Sequence, residues 1–159
     1  MNIKNKSYIS LIIWIAALIL IGSSIGTLTK SNIDTWYITL NRSPLTPPNY
    51  LFGIVWSILY GIIATCGWMI WRQQSFRKLM LIKCLYVTQL ILNWSWTPLF
   101  FSYHLTGSSL MCVLFMNILV AMIIYVSYSR IKLVSLLMTP YLIWILFATY
   151  LNFYIWQHN

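Results

Sequence analysis

The chain has 159 residues, of which 60% are hydrophobic and only 7% are charged, and its mean hydropathy is +0.78. In a soluble domain roughly a quarter of the residues are charged. This composition therefore excludes an ordinary soluble fold and indicates an integral membrane protein. The net charge of +9 does not indicate nucleic-acid binding, since the basic residues lie between apolar segments. Asp34 is the single acidic residue, which excludes catalysis by paired carboxylates.

Five apolar segments are long enough to cross a bilayer, which takes about 20 helical residues. They are predicted to form helices over residues 8–28, 48–71, 79–101, 108–128 and 133–156. Only the first connection, residues 29–47, is long, and short connections place consecutive helices antiparallel. The sequence therefore predicts an all-α integral membrane protein, with residues 1–159 forming one domain and a single bundle of five transmembrane helices.

The first segment has two features that admit more than one interpretation. Lys4 and Lys6 precede it, as in a signal peptide, but no convincing small-residue cleavage site follows, so a retained helix is predicted. Its sequence GSSIG, residues 22–26, places small residues four apart. Such spacing permits close helix contact, either inside the bundle or in a homodimer.

Polar and aromatic residues recur at helical spacing inside three of the predicted helices. They are Trp56 and Tyr60 in the second, Asn93 and Trp96 in the third, and Trp144 and Ala148 in the fifth. An amide such as that of Asn93 must find partners in hydrocarbon and therefore faces the bundle interior. These residues either join helix to helix or line an apolar pocket with a few polar groups, which is typical of a small-molecule site.

No metal site is predicted, and no cofactor is required. Cys66, Cys84 and Cys112 have neither zinc-site nor redox-pair spacing and are interpreted as small apolar residues. His104 and His158 lie at segment edges without a second ligand nearby in the sequence, so interfacial positions are favoured over metal or haem ligation.

Several stretches resemble the tryptophan-rich sensory protein and translocator protein family, also called the peripheral benzodiazepine receptor family. They are Trp36–Tyr37, TPPNYLFGIVWSILYG at 46–61, LNWSWTPLFF at 92–101 and PYLIWILFATYLNFYIW at 140–156. The matches occur in the right order and cover well over half of the chain. The resemblance implies a five-helix membrane bundle, often dimeric, with a pocket beneath the first loop.

The resemblance also implies a function. It implies binding of porphyrins such as protoporphyrin IX and of isoquinoline-carboxamide or benzodiazepine-type ligands, with a part in tetrapyrrole-linked regulation or stress signalling. The family's ligand-binding positions fall on Tyr37, Pro47, Trp56, Tyr60, Asn93, Trp96, Trp144 and Ala148. One alternative is light-dependent porphyrin degradation, for which Trp56 and Trp144 would be the required pair. Passive carriage of tetrapyrroles or other hydrophobic ligands is another.

The sequence departs from the family pattern at several positions. In the first loop, Ser43-Pro44-Leu45 has Ser43 where proline is usual and Leu45 where tryptophan is usual, so the predicted lid lacks an aromatic ring. Cys112 replaces an acidic residue that is common early in the fourth helix. No basic residue follows Tyr154, so the sterol motif of mammalian members is absent from this stretch.

Charge asymmetry predicts the orientation of the bundle. All basic residues except Lys30 and Arg42 fall on the side of the N-terminus, and basic residues concentrate on the cytoplasmic side. We therefore expect a cytoplasmic N-terminus and an external C-terminus, with a bacterial cell membrane as the host.

Replacing the four basic residues within residues 72–83 by glutamine should produce mixed orientations, because it removes much of this asymmetry. Accessibility of an N-terminal tag in sealed vesicles measures the outcome. Glutamine at Lys30 and Arg42 is the control and should preserve the original orientation; an unchanged tag pattern in the first variant would contradict the assignment.

Overall fold

The computed structural model describes residues 3–159, with side chains from Tyr8 onward, so the Lys4 and Lys6 side chains used in the charge count lie outside the described set. This part of the chain contains five α-helices and no strand, which confirms the predicted all-α bundle. The helices are α1 (Ile3–Thr35), α2 (Asn49–Trp71), α3 (Leu79–Thr97), α4 (Thr106–Ser127) and α5 (Lys132–His158).

Helix α1 is longer than predicted, and the predicted end at residue 28 is wrong. The helix continues to Thr35, so much of the expected first loop is helical. Hydropathy identified the stretch that suits lipid, whereas the helix itself continues into more polar sequence. Side-chain hydroxyls there bond back to their own helix: Thr29 donates to the carbonyl of Ile25 at 3.3 Å and Thr35 to that of Ser31 at 2.8 Å. The remaining connection holds a short 3₁₀ turn at Tyr37–Thr39.

Helix α3 ends earlier than predicted because of Pro98. The predicted segment ran to residue 101, but α3 ends at Thr97 and a wider π-helical turn follows at Pro98–Ser102. Proline lacks a backbone N–H and its ring crowds the preceding turn. The Tyr103 N–H closes the wide turn by donating to the Pro98 carbonyl at 3.0 Å. His104, with φ of +56°, then turns the chain toward α4.

Four of the five helices are long and apolar enough to cross a membrane. The exception within the described residues is α3, where Lys83, Gln89 and Asn93 interrupt the apolar sequence. Gln89 and Asn93 are buried, because α3 packs against α4 and also contacts α1 and α2. The two amides of α3 therefore face protein, which is how polar groups are accommodated at membrane depth.

The contact between α1 and α2 depends on Gly22. A Cβ atom at this position would overlap the ring of Tyr60, so only glycine lets the two helices approach this closely. The small-residue pattern of α1 is therefore used inside the bundle at Gly22. A Cβ atom added at Gly26, one turn later, would meet nothing within 4 Å.

Gly22→Ala should lower the free energy of unfolding by about 1–3 kcal/mol, because the added methyl must displace the buried Tyr60 ring. Gly61→Ala in α2 is the matched control, since its Cβ would meet nothing within 4 Å. That variant should be neutral or more stable by about 0.5–1 kcal/mol. Thermal unfolding in detergent compares them; equal behaviour of both variants would contradict the proposed contact.

Candidate functional site

A cavity of about 510 Å³ lies inside the bundle and is lined by residues from all five helices. We call it the inner cavity. The 3₁₀ turn and the π-helical turn also contribute to its walls. Most lining groups are apolar or aromatic, with a few amides and hydroxyls among them, as in small-molecule sites generally.

The structure brings seven of the eight predicted ligand-binding residues to the inner cavity. They are Tyr37, Trp56, Tyr60, Asn93, Trp96, Trp144 and Ala148. Their placement follows from helical spacing, because residues three or four apart share one helix face. That they bind a ligand stays a prediction.

Pro47 lies elsewhere. It precedes α2 and lines a separate outer cleft of about 720 Å³, together with Arg42 and His158. Arg42 is likewise absent from the residues lining the inner cavity, whereas Lys30 is among them. Arg42 and Lys30 therefore line different cavities, which adjoin at Asn49, a residue that lines both.

Asn93 is the centre of a buried hydrogen-bond network that joins three helices. Its Oδ1 accepts from the Tyr60 hydroxyl at 2.8 Å, and its Nδ2 donates to the Tyr141 hydroxyl at 2.9 Å. Tyr141 in turn donates to Gln89 Oε1 at 3.1 Å. Asn93 thus both connects helices and lines the inner cavity, so the two interpretations of this residue hold together. Tyr141 is a partner that the spacing of α5 did not single out.

A second network holds the Trp96 indole in place. Its Nε1 donates to Asn152 Oδ1 at 3.0 Å, and Asn152 Nδ2 donates to the Thr106 carbonyl at 2.9 Å. The Trp96 ring stacks on Phe100, with ring centroids 5.2 Å apart and planes 14° from parallel. One wall of the inner cavity is therefore a fixed pair of flat rings.

Trp56 and Trp144 contribute further aromatic surface. Trp56 packs on Tyr60 with centroids 5.7 Å apart, and Phe52 meets Trp144 edge-on at 5.9 Å. Among the described residues, the buried Trp144 Nε1 has no hydrogen-bond partner. Leaving a buried donor without a partner costs free energy.

Tyr37 covers the loop end of the inner cavity. Only 6% of its surface is exposed, its ring meets Phe100 and Phe101 edge-on, and the Arg42 guanidinium lies 5.2 Å from its centroid. Burial raises the pKa of the Tyr37 phenol, although the nearby Arg42 opposes the shift. The phenol therefore stays neutral at physiological pH.

The unusual Ser43 attaches the first loop to α5. Its hydroxyl lies 3.0 Å from the Tyr150 hydroxyl and accepts from the Leu45 N–H at 3.1 Å. The Asn41 N–H also donates to Asn159 Oδ1 at 2.9 Å. A proline at position 43 would have no hydroxyl to bond with Tyr150 or with the Leu45 N–H. Leu45 is largely exposed and does not line the inner cavity.

Sequence patterns missed the contribution of α1. Residues of α1 that line the inner cavity include Gly22, Ser23, Gly26 and Thr27. The GSSIG spacing was the available signal, but small residues indicate close approach without indicating a cavity. Within the described chain, His, Cys, Asp and Glu form no group of three that could hold a metal ion.

The fold and the inner cavity define a class: an integral α-helical membrane protein with an aromatic-walled internal cavity. The model of the TspO/MBR family matches residues 13–157. The chain is 36% identical to tryptophan-rich protein TspO of Archaeoglobus fulgidus, over 95% of this chain and 97% of the relative. It is 32% identical to the human translocator protein, over 78% of this chain and 75% of the relative. It is 30% identical to protein CrtK of Rhodobacter capsulatus, over 78% of each chain. The chain belongs to the TspO/MBR family.

Tyr60→Phe should lower the free energy of unfolding by about 1–3 kcal/mol, because it leaves the buried Asn93 Oδ1 without its donor. Tyr50→Phe on the same helix is the control, since the Tyr50 side chain is exposed. Thermal unfolding in detergent measures both. A loss no greater than that of the control would show that the network contributes little to stability.

Proposed function

We propose that this protein is a membrane-embedded binding protein or receptor for porphyrins, such as protoporphyrin IX. Ligands of the isoquinoline-carboxamide and benzodiazepine type would occupy the same site, and binding would serve tetrapyrrole-linked regulation or stress signalling. The observation that carries the proposal is the inner cavity with its aromatic walls. Its volume of about 510 Å³ lies within the range of about 300–1,000 Å³ usual for ligand pockets.

The aromatic walls suit a flat macrocycle. Offset or edge-on contact with an aromatic ring contributes about 0.5–1.5 kcal/mol beyond buried area. Trp56, Trp96 and Trp144 offer such contacts from α2, α3 and α5. Because the Trp96 ring is already held by Asn152 and Phe100, little side-chain freedom is lost there on binding, which favours affinity.

Polar groups at the inner cavity suit the polar edge of such a ligand. The exposed Lys30 lines the inner cavity and suits a carboxylate, and the buried Asn93 and Asn152 amides also line it. Solvent screening limits what an exposed cation contributes to final affinity. Lys30 would therefore act chiefly in capturing an acidic ligand.

The proposal includes an orientation and an assembly. With a cytoplasmic N-terminus, the end of the bundle that holds Lys30 and the first loop faces outward. A homodimer, which the family resemblance implies, would bury part of the apolar surface that the helices expose. No metal or cofactor is needed for binding.

Trp56→Ala and Trp144→Ala should each weaken protoporphyrin IX binding by about 0.5–1.5 kcal/mol, or roughly two- to tenfold in Kd. Quenching of the remaining tryptophans during titration measures Kd. Trp156→Ala is the control, because Trp156 does not line the inner cavity. Unchanged quenching in both cavity variants would contradict this site, and absence of binding by the unsubstituted protein would contradict the proposed function.

A further inference from the structure

Among the residues that line the inner cavity, those that are exposed lie on only two helices, α1 and α2. The exposed ones are Ser23, Gly26, Thr27 and Lys30 on α1, and Asn49, Gly53 and Ser57 on α2. Among the described residues, those that line the cavity from α3, the π-helical turn, α4 and α5 are buried or half-buried. The inner cavity is therefore walled on the other sides and reaches the surface between α1 and α2.

The exposed lining residues form two facing stripes. Asn49, Gly53 and Ser57 are four apart on α2, so they lie along one face of that helix. Ser23 and Thr27 do the same on α1. We call the gap between these stripes the α1–α2 slot. An added Cβ at Gly26 or Gly53 would meet nothing within 4 Å, so the slot is open at both glycines.

The α1–α2 slot lies between two helices that are long and apolar enough to cross a membrane. Gly26 lies within the apolar span Tyr8–Thr35, and Gly53 lies within the span Asn49–Trp71. Two hydroxyls along the slot are already bonded to their own helices. Ser57 donates to the Gly53 carbonyl at 2.8 Å, and Thr27 donates to the Ser23 carbonyl at 3.1 Å. An apolar molecule that passes these two hydroxyls leaves both donors paired, which limits the cost of passage.

The first loop covers part of the loop end of the inner cavity. Tyr37 is buried there against Phe100 and Phe101. The loop that follows is held to the end of α5 through Ser43 and Asn41. Entry past Tyr37 would require these contacts to break, whereas entry between α1 and α2 would not.

We propose that a flat, carboxylate-bearing ligand dissolved in the bilayer enters the inner cavity sideways, through the α1–α2 slot. This route rests on the proposed function of the same cavity. The apolar body of the ligand passes between Gly26 and Gly53, which leave the widest approach. The carboxylate meets Lys30 on the same stripe of α1, nearer the membrane surface. The lipid phase then acts as the reservoir from which the ligand is taken.

The route is tested with protein reconstituted in phosphatidylcholine vesicles that carry protoporphyrin IX. Gly26→Leu and Gly53→Leu narrow the slot, and each should slow loading by about tenfold, equivalent to about 1.4 kcal/mol on the barrier. Release should slow as well, because the ligand leaves by the same passage. Gly61→Leu is the matched control because Gly61 is equally open but lies outside the inner cavity.

Two further variants test whether the first loop or the charge of Lys30, in addition to the slot, controls the loading rate. Ser43→Ala releases the loop from Tyr150 and should leave the loading rate unchanged. Lys30→Gln should slow loading of protoporphyrin IX in a salt-dependent manner, but not loading of its neutral dimethyl ester. The rates of loading and release are followed by tryptophan quenching after protein-containing vesicles are mixed with vesicles that do or do not carry ligand.

Three outcomes would overturn the route. They are unchanged rates in both slot variants, faster release with unchanged loading, and faster loading in Ser43→Ala. The second would show that the glycines contact bound ligand rather than control its passage. Failure of the unsubstituted protein to bind at all would instead overturn the proposed function and the route with it, so the two failures are distinguishable.

Discussion

Polar groups at membrane depth must find their partners inside the protein, and this constraint organises the bundle around Asn93. Water is not available in hydrocarbon to satisfy an amide. Asn93 therefore bonds to Tyr60 of α2 and to Tyr141 of α5, which sets the positions of three helices relative to one another. The same constraint explains why α3 turns its Gln89 and Asn93 amides toward protein.

The inner cavity follows from the sizes of the side chains around this network. Gly22 allows α1 to pack directly on the Tyr60 ring. One turn later, Gly26 faces open space, because no large side chain of α2 reaches it. Large rings such as Trp96, held by hydrogen bonds, cannot relax into that space. Close packing at one glycine and rigid aromatic walls beyond it leave a cavity between them.

The loop end of the inner cavity and its side between α1 and α2 differ in how firmly they are held together. The first loop is bonded to α5 through Ser43 and Tyr150, whose hydroxyls lie 3.0 Å apart. The side between α1 and α2 packs closely at Gly22 but is open at Gly26 and Gly53, where an added Cβ would meet nothing within 4 Å. Under the proposed route, a hydrophobic ligand dissolved in lipid enters at this open part. The Ser43 hydroxyl thus contributes to the attachment of the loop to α5.

The sequence by itself determined that the chain is an all-α membrane bundle, because hydropathy is a local property that can be summed along each segment, and four of the five helices are apolar enough to cross a membrane. It also indicated most of the cavity's aromatic residues, such as Trp56 and Trp144, since residues that share a helix face are visible from spacing. Only the tertiary structure decided that Pro47 lies in the outer cleft and that Ser43 meets Tyr150. These contacts join residues far apart in the chain, and they depend on helix register and loop path, which no local pattern encodes.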